Sequence, residues 1–261
     1  MNNYRKPRML DKSIEVYQLE IQNVLFFEKD NYLIYKYYVG ERSYIVKMKK
    51  NLNQIPKKCI MFFHGSKDLH WDCAILSTDM VDDDYIVVYL QGNNQGVYQL
   101  EPPHVDKDYG YISYGNNYFE IRDFADNFDA DIKYVQDVIQ DVGLKYDLTK
   151  FYAVGHSNGG VFVCLFPIYL PGKFIAIISH QGGMGWDEHF NIPFEKIDEK
   201  YTKPHMFFFT GSDDIHLTPC IQAHNIFTIE SFDSVLHIEP NLTHTWRKID
   251  EKYIFDFFNK F

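Results

Sequence analysis

The sequence predicts an α/β fold with a mainly parallel central sheet, antiparallel strands at its N-terminal end and helices on both faces. Residues 13–50 alternate apolar and polar side chains, as in two or three antiparallel strands with one solvated face. Apolar runs further along the chain are continuous, which is typical of strands covered on both faces. Helical segments separate these runs, and strands that alternate with helices form parallel sheets.

The elements can be assigned in chain order. Within the N-terminal region, Gly40-Glu41 marks a turn between strands at residues 32–39 and 43–48. Continuous apolar runs predict later strands over residues 59–63, 85–90, 151–154, 174–178, 206–209 and 235–238. Helices are predicted over residues 71–80, 120–142, 158–170 and 249–261, with Gly143 ending the second of them. The irregular stretch 92–117 is expected to wall a substrate site, because loops of that length are usually functional, and the alternative is a surface insertion without a role.

Composition and charge argue against several classes of function. The formal net charge of −10 disfavours nucleic acid and anionic membranes as partners, because both require basic patches. No apolar run is as long as a membrane span, and the N-terminus lacks the pattern of a secretion signal. The 4 cysteines have no paired spacing, so we expect free thiols in the cytoplasm or another reducing compartment. Without repeats or linkers, we expect a tail over residues 1–12 and a single domain over 13–261.

The stretch Gly155-His156-Ser157-Asn158-Gly159-Gly160 contains a G-x-S-x-G motif between an apolar run and a predicted helix. A sharp strand-to-helix turn of this kind holds the serine in a strained conformation with its hydroxyl exposed above the sheet edge. The glycines are needed because a Cβ atom would crowd the crossing of strand and helix. The motif therefore makes Ser157 a candidate nucleophile.

Polar residues at the ends of other predicted strands complete a candidate site. Asp213 and Asp214 follow the strand at 206–209, and His244 lies in the loop between the last strand and the closing helix. Carboxyl ends of parallel strands meet at one edge of the sheet, and the chain order serine, aspartate, histidine is the order expected for such an elbow. Asp214 is preferred as the acid, with Asp213 as the alternative. Three other histidines are less suited as the base. His216 lies beside the acid on the same loop, His224 in a predicted helix and His237 in a predicted strand.

Two backbone N–H groups are expected to form an oxyanion hole. One belongs to Asn158, which begins the helix after the nucleophile, and the other to Ser66, with Gly65 as the alternative. Five side chains are candidates to line the substrate pocket: His64, His156, His180, Gln181 and Trp246. A structural role is the alternative for His180 and Gln181. No metal or cofactor is predicted, because the 11 histidines show no ligand spacing and the glycine-rich stretch matches no phosphate or dinucleotide loop.

These motifs resemble the α/β-hydrolase superfamily and, within it, the polyhydroxybutyrate depolymerase and feruloyl esterase-type family. The G-x-S-N-G-G stretch at 155–160 is similar to the signature of that family, and His64-Gly65 resembles its oxyanion turn. Residues 129–141 resemble the helix that precedes the elbow. His244-Thr245-Trp246 and residues 254–258 resemble the closing His-x-Trp motif and terminal helix.

The resemblance implies an α/β-hydrolase fold and a carboxylic ester hydrolase that acts through an acyl-enzyme on Ser157 without a cofactor. The chain departs from the family in its acid loop, where Pro219 falls one residue late, and residues 179–203 are too few for a large cap domain. The expected partner is a small-molecule or oligomeric ester. The alternatives are a thioesterase, peptidase or acyltransferase with the same three residues, or a catalytically silent protein with a binding or structural role.

Overall fold

The computed structural model describes residues 15–21, 24–29, 31–50, 52, 54–66, 68, 70, 73–74, 78, 80, 83–92, 105–106, 111–112, 119, 121, 126–184 and 192–261. The predicted tail over residues 1–12 lies outside these ranges. Most of the predicted helix over 71–80 and most of the stretch 92–117 also lie outside them.

A large sheet forms the centre of the described part of the chain. Its strands are β1 (Glu15–Ile21), β2 (Val24–Lys29), β3 (Tyr32–Val39), β4 (Arg42–Lys49), β5 (Lys58–Phe63), β6 (Tyr85–Leu90), β9 (Lys150–His156), β10 (Ala176–His180), β11 (His205–Gly211) and β12 (Ser234–Glu239). Two short strands between β6 and β9, β7 (Val105–Asp106) and β8 (Tyr111–Ile112), pair with each other outside this sheet. The strand order is β1-β2-β3-β4-β6-β5-β9-β10-β11-β12.

The direction of the strands changes within the sheet, as predicted. β1 to β4 pair antiparallel in sequence, and β4 pairs antiparallel with β6. β6, β5, β9, β10, β11 and β12 all pair in parallel. The antiparallel part has four strands in the described residues, not the two or three that we predicted. The pairs Gln22-Asn23 and Asp30-Asn31 separate the additional strands, and such polar pairs are turn signals that the prediction did not use.

Helices cover both faces of the sheet. They are α1 (Asp126–Tyr146), α2 (Asn158–Val163), α3 (Phe166–Tyr169), α4 (Leu217–Ile229) and α5 (Glu251–Phe258). Short 3-10 turns occur at Phe194–Lys196 and Lys248–Asp250. No helix among the described residues is both long enough and apolar enough to cross a membrane.

Two predicted helix bounds need correction. α1 continues past Gly143 to Tyr146, because Gly143 has room in the helix and the left-handed residue that follows the helix is Asp147, with φ 53°. The helix predicted over residues 158–170 is divided into α2 and α3.

The alternating side chains of each buried strand enter two separate cores. Met61 and Phe63 of β5 pack in the core beneath α1, α2 and α4, whereas Ile60 and Phe62 pack in the core beneath α5. Burial on both faces accounts for the continuous apolar runs in the sequence. The predicted fold class, a mainly parallel sheet with antiparallel N-terminal strands and helices on both faces, is confirmed. The 4 cysteines are free and buried.

Candidate active site

The turn between β9 and α2 has the geometry of a nucleophile elbow. Ser157 has φ 53° and ψ −117°, a backbone conformation that residues other than glycine rarely adopt. A Cβ atom at Gly155 would lie 2.0 Å from the Gly159 carbonyl oxygen, and one at Gly159 would lie 2.2 Å from the Phe63 carbonyl oxygen. Only glycine therefore fits at either position, and α2 begins in close contact with the ends of β9 and β5.

Three loops bring Ser157, His244 and Asp214 together. His244 Nε2 lies 2.9 Å from Ser157 Oγ, and His244 Nδ1 lies 2.9 Å from Asp214 Oδ1. The Asp214 side chain has 0% exposure and that of His244 has 25%. Because an ionised carboxylate can only accept hydrogen bonds, His244 Nδ1–H donates to Asp214 and Nε2 can accept the Ser157 hydroxyl proton.

The structure separates the two candidate acids. Asp214 also accepts a hydrogen bond of 2.8 Å from the His216 backbone N–H. Burial alone would raise the pKa of Asp214, but the hydrogen bonds from His244 and from the His216 amide outweigh it and hold the pKa below its usual range. Asp213, the alternative acid, is exposed and accepts a hydrogen bond from Ser212 Oγ at 2.9 Å. Asp214 is therefore the aspartate that contacts His244.

Two further imidazole rings stack on that of His244. The ring centroids of His216 and His244 are 4.8 Å apart, and those of His156 and His244 are 5.4 Å apart. Burial lowers the pKa of His156 to about 3 and also lowers the pKa of His216. Both rings are therefore neutral near pH 7. Sequence reasoning did not assign His216 to the site, although its place two residues after Asp214 was the available signal.

The two segments expected to form the oxyanion hole lie beside Ser157. Asn158 is the first residue of α2, so its backbone N–H has no partner within the helix. A Cβ atom at Gly65 would lie 3.3 Å from Ser157 Cβ, which brings the turn of Gly65 and Ser66 against the nucleophile. The Asn158 side chain accepts the Phe119 backbone N–H at 2.7 Å and donates to the Phe119 carbonyl at 3.1 Å. This pairing joins residue 119 to the elbow, a contact that sequence reasoning missed.

A pocket of about 480 Å³ opens beside His244. Its described lining residues are Phe62, Asp68, Cys73, Thr78, His156, His244, Thr245, Trp246 and Lys248. Two of the residues predicted to line a substrate pocket, His156 and Trp246, are among them.

Three other residues predicted to line the pocket, His180, Gln181 and His64, are buried and are not among these lining residues. His180 is 1% exposed, with Nδ1 3.1 Å from His156 Nδ1, so it lies behind His156. Gln181 is fully buried and donates to the Thr243 carbonyl at 2.6 Å, which anchors the loop that carries His244. His64 is 1% exposed.

Both nitrogens of His64 are hydrogen-bonded inside the protein. Nδ1–H donates to the Gly65 carbonyl at 2.7 Å, while Nε2 accepts the Gly92 backbone N–H at 2.9 Å. Gln91 Nε2 lies 3.0 Å from the same His64 nitrogen. Burial lowers the pKa of His64 to about 4. His64 therefore joins the turn after β5 to the end of β6 and does not face the pocket.

Among the residues that the structure describes, no three or more His, Cys, Asp or Glu side chains are grouped so that they could hold a metal ion. The candidate site is thus a serine, histidine and aspartate in one hydrogen-bonded chain beside a pocket.

Comparisons with known proteins agree with this architecture. A family model described as "Alpha/beta hydrolase of unknown function (DUF915)" matches residues 48–170. No curated protein sequence matches the chain. Among solved structures, the fluorophosphonate-binding serine hydrolase FphF of Staphylococcus aureus is 14% identical, with a TM-score of 0.57 over 85% of this chain and 94% of its own. The Bacillus cereus carboxylesterase is 14% identical, with a TM-score of 0.55 over 85% of this chain and 95% of its own. A phospholipase/carboxylesterase from Dyadobacter fermentans is 14% identical, with a TM-score of 0.57 over 84% of this chain and 97% of its own.

The chain has the α/β-hydrolase fold, and residues 48–170 match a family model of that description. The narrower resemblance to polyhydroxybutyrate depolymerases and feruloyl esterases is not among these findings and stays a prediction.

Proposed function

We propose that this protein is a serine hydrolase that cleaves carboxylic esters through an acyl-enzyme formed on Ser157. The observation that carries the proposal is the continuous hydrogen-bonded chain from Ser157 Oγ through His244 to Asp214, with both distances at 2.9 Å. A serine hydroxyl is a weak nucleophile until a neutral imidazole accepts its proton. The conformation of Ser157 supports the proposal further, since strain of this kind is kept where it serves a function.

In the first half of the reaction, Ser157 Oγ attacks the ester carbonyl carbon while its proton passes to His244 Nε2. The resulting tetrahedral intermediate carries its negative charge on the former carbonyl oxygen. His244 then gives the proton to the leaving alkoxide oxygen, the bond from the carbonyl carbon to that oxygen breaks, and the acyl group stays on Ser157. In the second half, water repeats the attack with His244 as the base, and the carboxylic acid leaves.

Asp214 is proposed to hold His244 in the required tautomer and to stabilise its positive form. Its carboxylate is buried and accepts the Nδ1–H of His244, which leaves Nε2 free to accept the proton of Ser157. The hydrogen bond from the His216 amide fixes the same carboxylate oxygen from a second direction.

The oxyanion is proposed to accept hydrogen bonds from the backbone N–H groups of Asn158 and Ser66, with Gly65 as the alternative to Ser66. A helix N-terminus favours negative charge, because its first N–H groups are unpaired within the helix. The short approach of Gly65 to Ser157 supports the assignment of the second donor to this turn.

Ester hydrolysis is preferred over other acyl transfers because two of the structural neighbours are called carboxylesterases in their descriptions. The neighbour from Staphylococcus aureus is described as a fluorophosphonate-binding serine hydrolase. At this identity these names indicate the class of substrate to try first, not the substrate of this chain.

The test is turnover of p-nitrophenyl acetate and butyrate by the wild type and by Ser157→Ala. We expect the substitution to lower kcat about 10⁴-fold or more. Ser234→Ala is a matched control, because Ser234 Oγ pairs with His224 at the amino end of β12. Undiminished turnover in Ser157→Ala would remove the proposal. Turnover of an ester, a thioester and an amide that share one acyl group then compares the ester hydrolase hypothesis with the thioesterase and peptidase hypotheses.

A further inference from the structure

The end of β10 contacts both members of the proposed pair of nucleophile and base. The carbonyl of His180, the last residue of β10, accepts the backbone N–H of Ser157 at 2.9 Å. The next residue, Gln181, donates from its side-chain Nε2 to the Thr243 carbonyl at 2.6 Å. Thr243 directly precedes His244 in the chain. Two consecutive residues therefore connect the nucleophile to the loop that carries the proposed base.

Gln181 has an unusual backbone conformation at this point. Its φ is 54°, in the left-handed region that residues other than glycine rarely adopt. Its backbone N–H still donates to the Phe209 carbonyl of β11 at 2.7 Å, so the change of direction begins directly after the last contact with the sheet. An unfavourable conformation of this kind persists where the surrounding contacts require it.

The side chain of Gln181 carries a second unfavourable feature. It is fully buried, and none of the residues that the structure describes donates a hydrogen bond to its Oε1. A buried carbonyl oxygen without a donor lowers the stability of a protein. Gln181 thus combines a positive φ with an unpaired oxygen, and the favourable contact of its side chain is the hydrogen bond to Thr243.

The carbonyl that Gln181 holds belongs to a three-residue turn with His244 at its centre. The Thr243 carbonyl also accepts the Thr245 backbone N–H at 2.8 Å, which is the hydrogen bond of a γ-turn. A turn of this size leaves little freedom to its central residue. A displacement of the Thr243 carbonyl would therefore displace His244 as well.

A separate contact fixes the same loop to the loop after β11. The carbonyl of Leu242 accepts the Asp213 backbone N–H at 3.1 Å. This contact lies on the side of the proposed acid, whereas the contact of Gln181 leads to the nucleophile. The two contacts therefore hold the proposed base against its two partners separately.

We propose that Gln181 is a positioning residue that sets the distance between Ser157 Oγ and His244 Nε2. This inference rests on the proposed ester hydrolysis and adds a residue to it. Proton transfer from the serine requires close approach of these two atoms, and a misplacement of about 1 Å can lower a rate about 10²-fold. Gln181 itself is buried and takes no part in making or breaking bonds, so it acts through Thr243.

The experiment removes the hydrogen bond in two ways. Gln181→Met keeps an unbranched side chain of similar length without the donor, and Gln181→Gly also relieves the positive φ. We expect both variants to lower kcat for p-nitrophenyl acetate about 10- to 100-fold and to change KM by less than about threefold. The melting temperature of each variant shows that it is folded. Wild-type kcat in both folded variants would contradict the positioning role.

Two control variants at the amino ends of β11 and β12 match these changes. Lys203→Met removes a side-chain donor that lies 2.6 Å from the Glu230 carbonyl, and Ser231→Gly relieves a φ of 61°. Both should alter the melting temperature and leave kcat unchanged. A loss of kcat in the controls as large as that in Gln181→Met would mean that any such change impairs turnover, and it would overturn the inference.

The pH profile of kcat/KM distinguishes a change of one distance from a general loosening of the loop. The contact of Leu242 with Asp213 remains in Gln181→Met, so the profile should fall in height and keep its shape. A profile that changes its shape as well would show that the contact with Asp214 is disturbed too, which contradicts the separate roles of the two anchors.

Hydrogen exchange tests the anchor without turnover. The Thr245 amide should exchange about 3- to 10-fold faster in Gln181→Met than in the wild type, as expected when one hydrogen bond of the turn is lost. Equal exchange in the two proteins would overturn the inference. Ser157→Ala separates the two proposals: if it abolishes turnover while the Gln181 variants keep wild-type kcat, the hydrolase proposal stands and only the role of Gln181 is removed.

Discussion

The turn after β5 and the loop after β12 each place a histidine at the carboxyl edge of the sheet, and the two imidazoles have different surroundings. His64 in the turn is buried, and both of its nitrogens are satisfied by groups of the turn and of the end of β6. His244 in the loop is 25% exposed, and its nitrogens contact the side chains of Asp214 and Ser157. A strand end brings a residue to the site, but the partners of its side chain decide what the residue can do there.

The largest expected effect concerns the loop after β12. His244→Ala should lower kcat with an activated ester about 10⁵- to 10⁶-fold, because the proposed base is lost and the remaining rate comes from the oxyanion donors and binding. His237→Ala is the control, since His237 lies in β12 itself and contacts Glu239 at 3.1 Å. Comparable losses of kcat in the two variants would contradict the assignment of His244 as the base.

The second effect separates the two aspartates that follow β11. Asp214→Asn should lower kcat about 10⁴-fold, because the amide stabilises the wrong tautomer of His244 and cannot stabilise its positive form. Asp213→Asn should change kcat little, since Asp213 is exposed and contacts Ser212 rather than His244. A larger loss in Asp213→Asn than in Asp214→Asn would reverse the assignment of the acid. Steady-state kinetics at one pH measure the two losses of kcat, and the melting temperature of each variant shows whether it is folded.

The smallest effect concerns His64 and appears in stability rather than in turnover. The pKa of His64 is lowered from 6.5 to about 4 in the folded protein, so the unfolded chain binds more protons below pH 6.5. Stability from this group is present above pH 6.5 and is lost as the pH falls towards 4, with a slope of up to about 1.4 kcal/mol per pH unit. His64→Gln should lower the free energy of unfolding at pH 7 by about 1–3 kcal/mol, through imperfect replacement of buried hydrogen bonds.

The same variant should also show a shallower fall of stability between pH 6.5 and 4. Part of the fall should remain, because the pKa of His156 is also lowered, to about 3. Urea unfolding at a series of pH values measures both quantities. If His64→Gln were as stable as the wild type but lost most of its kcat, the contrast between the two histidines would be wrong.

Much of this architecture could be predicted from the sequence because it depends on local patterns. Continuous apolar runs predicted the buried parallel strands. The G-x-S-x-G motif predicted a tight turn at Ser157, where only glycine fits at positions 155 and 159. The contacts of Ser157, His244 and Asp214 follow from strand ends that share one edge of a parallel sheet.

The remaining features depend on contacts between distant parts of the chain. His64 is buried because of a hydrogen bond to Gly92, and Gln181 because of one to Thr243, and neither partner is visible from local sequence. The stacking of His216 on His244 depends on how the loop after β11 bends back, which periodicity does not describe. The sequence therefore predicted that these residues lie near the site, but it could not predict which of them face the pocket.

The most direct test of Ser157 as an activated nucleophile is covalent labelling by a fluorophosphonate probe, read by mass spectrometry of the labelled peptide. A probe of this kind reacts only with an activated serine, so it tests the Ser157–His244 pair without any choice of substrate. We expect one adduct on Ser157 in the wild type, no adduct in Ser157→Ala, and strongly slowed labelling in His244→Ala. An unlabelled wild type in its folded state, or an adduct on another serine that persists in Ser157→Ala, would contradict this assignment.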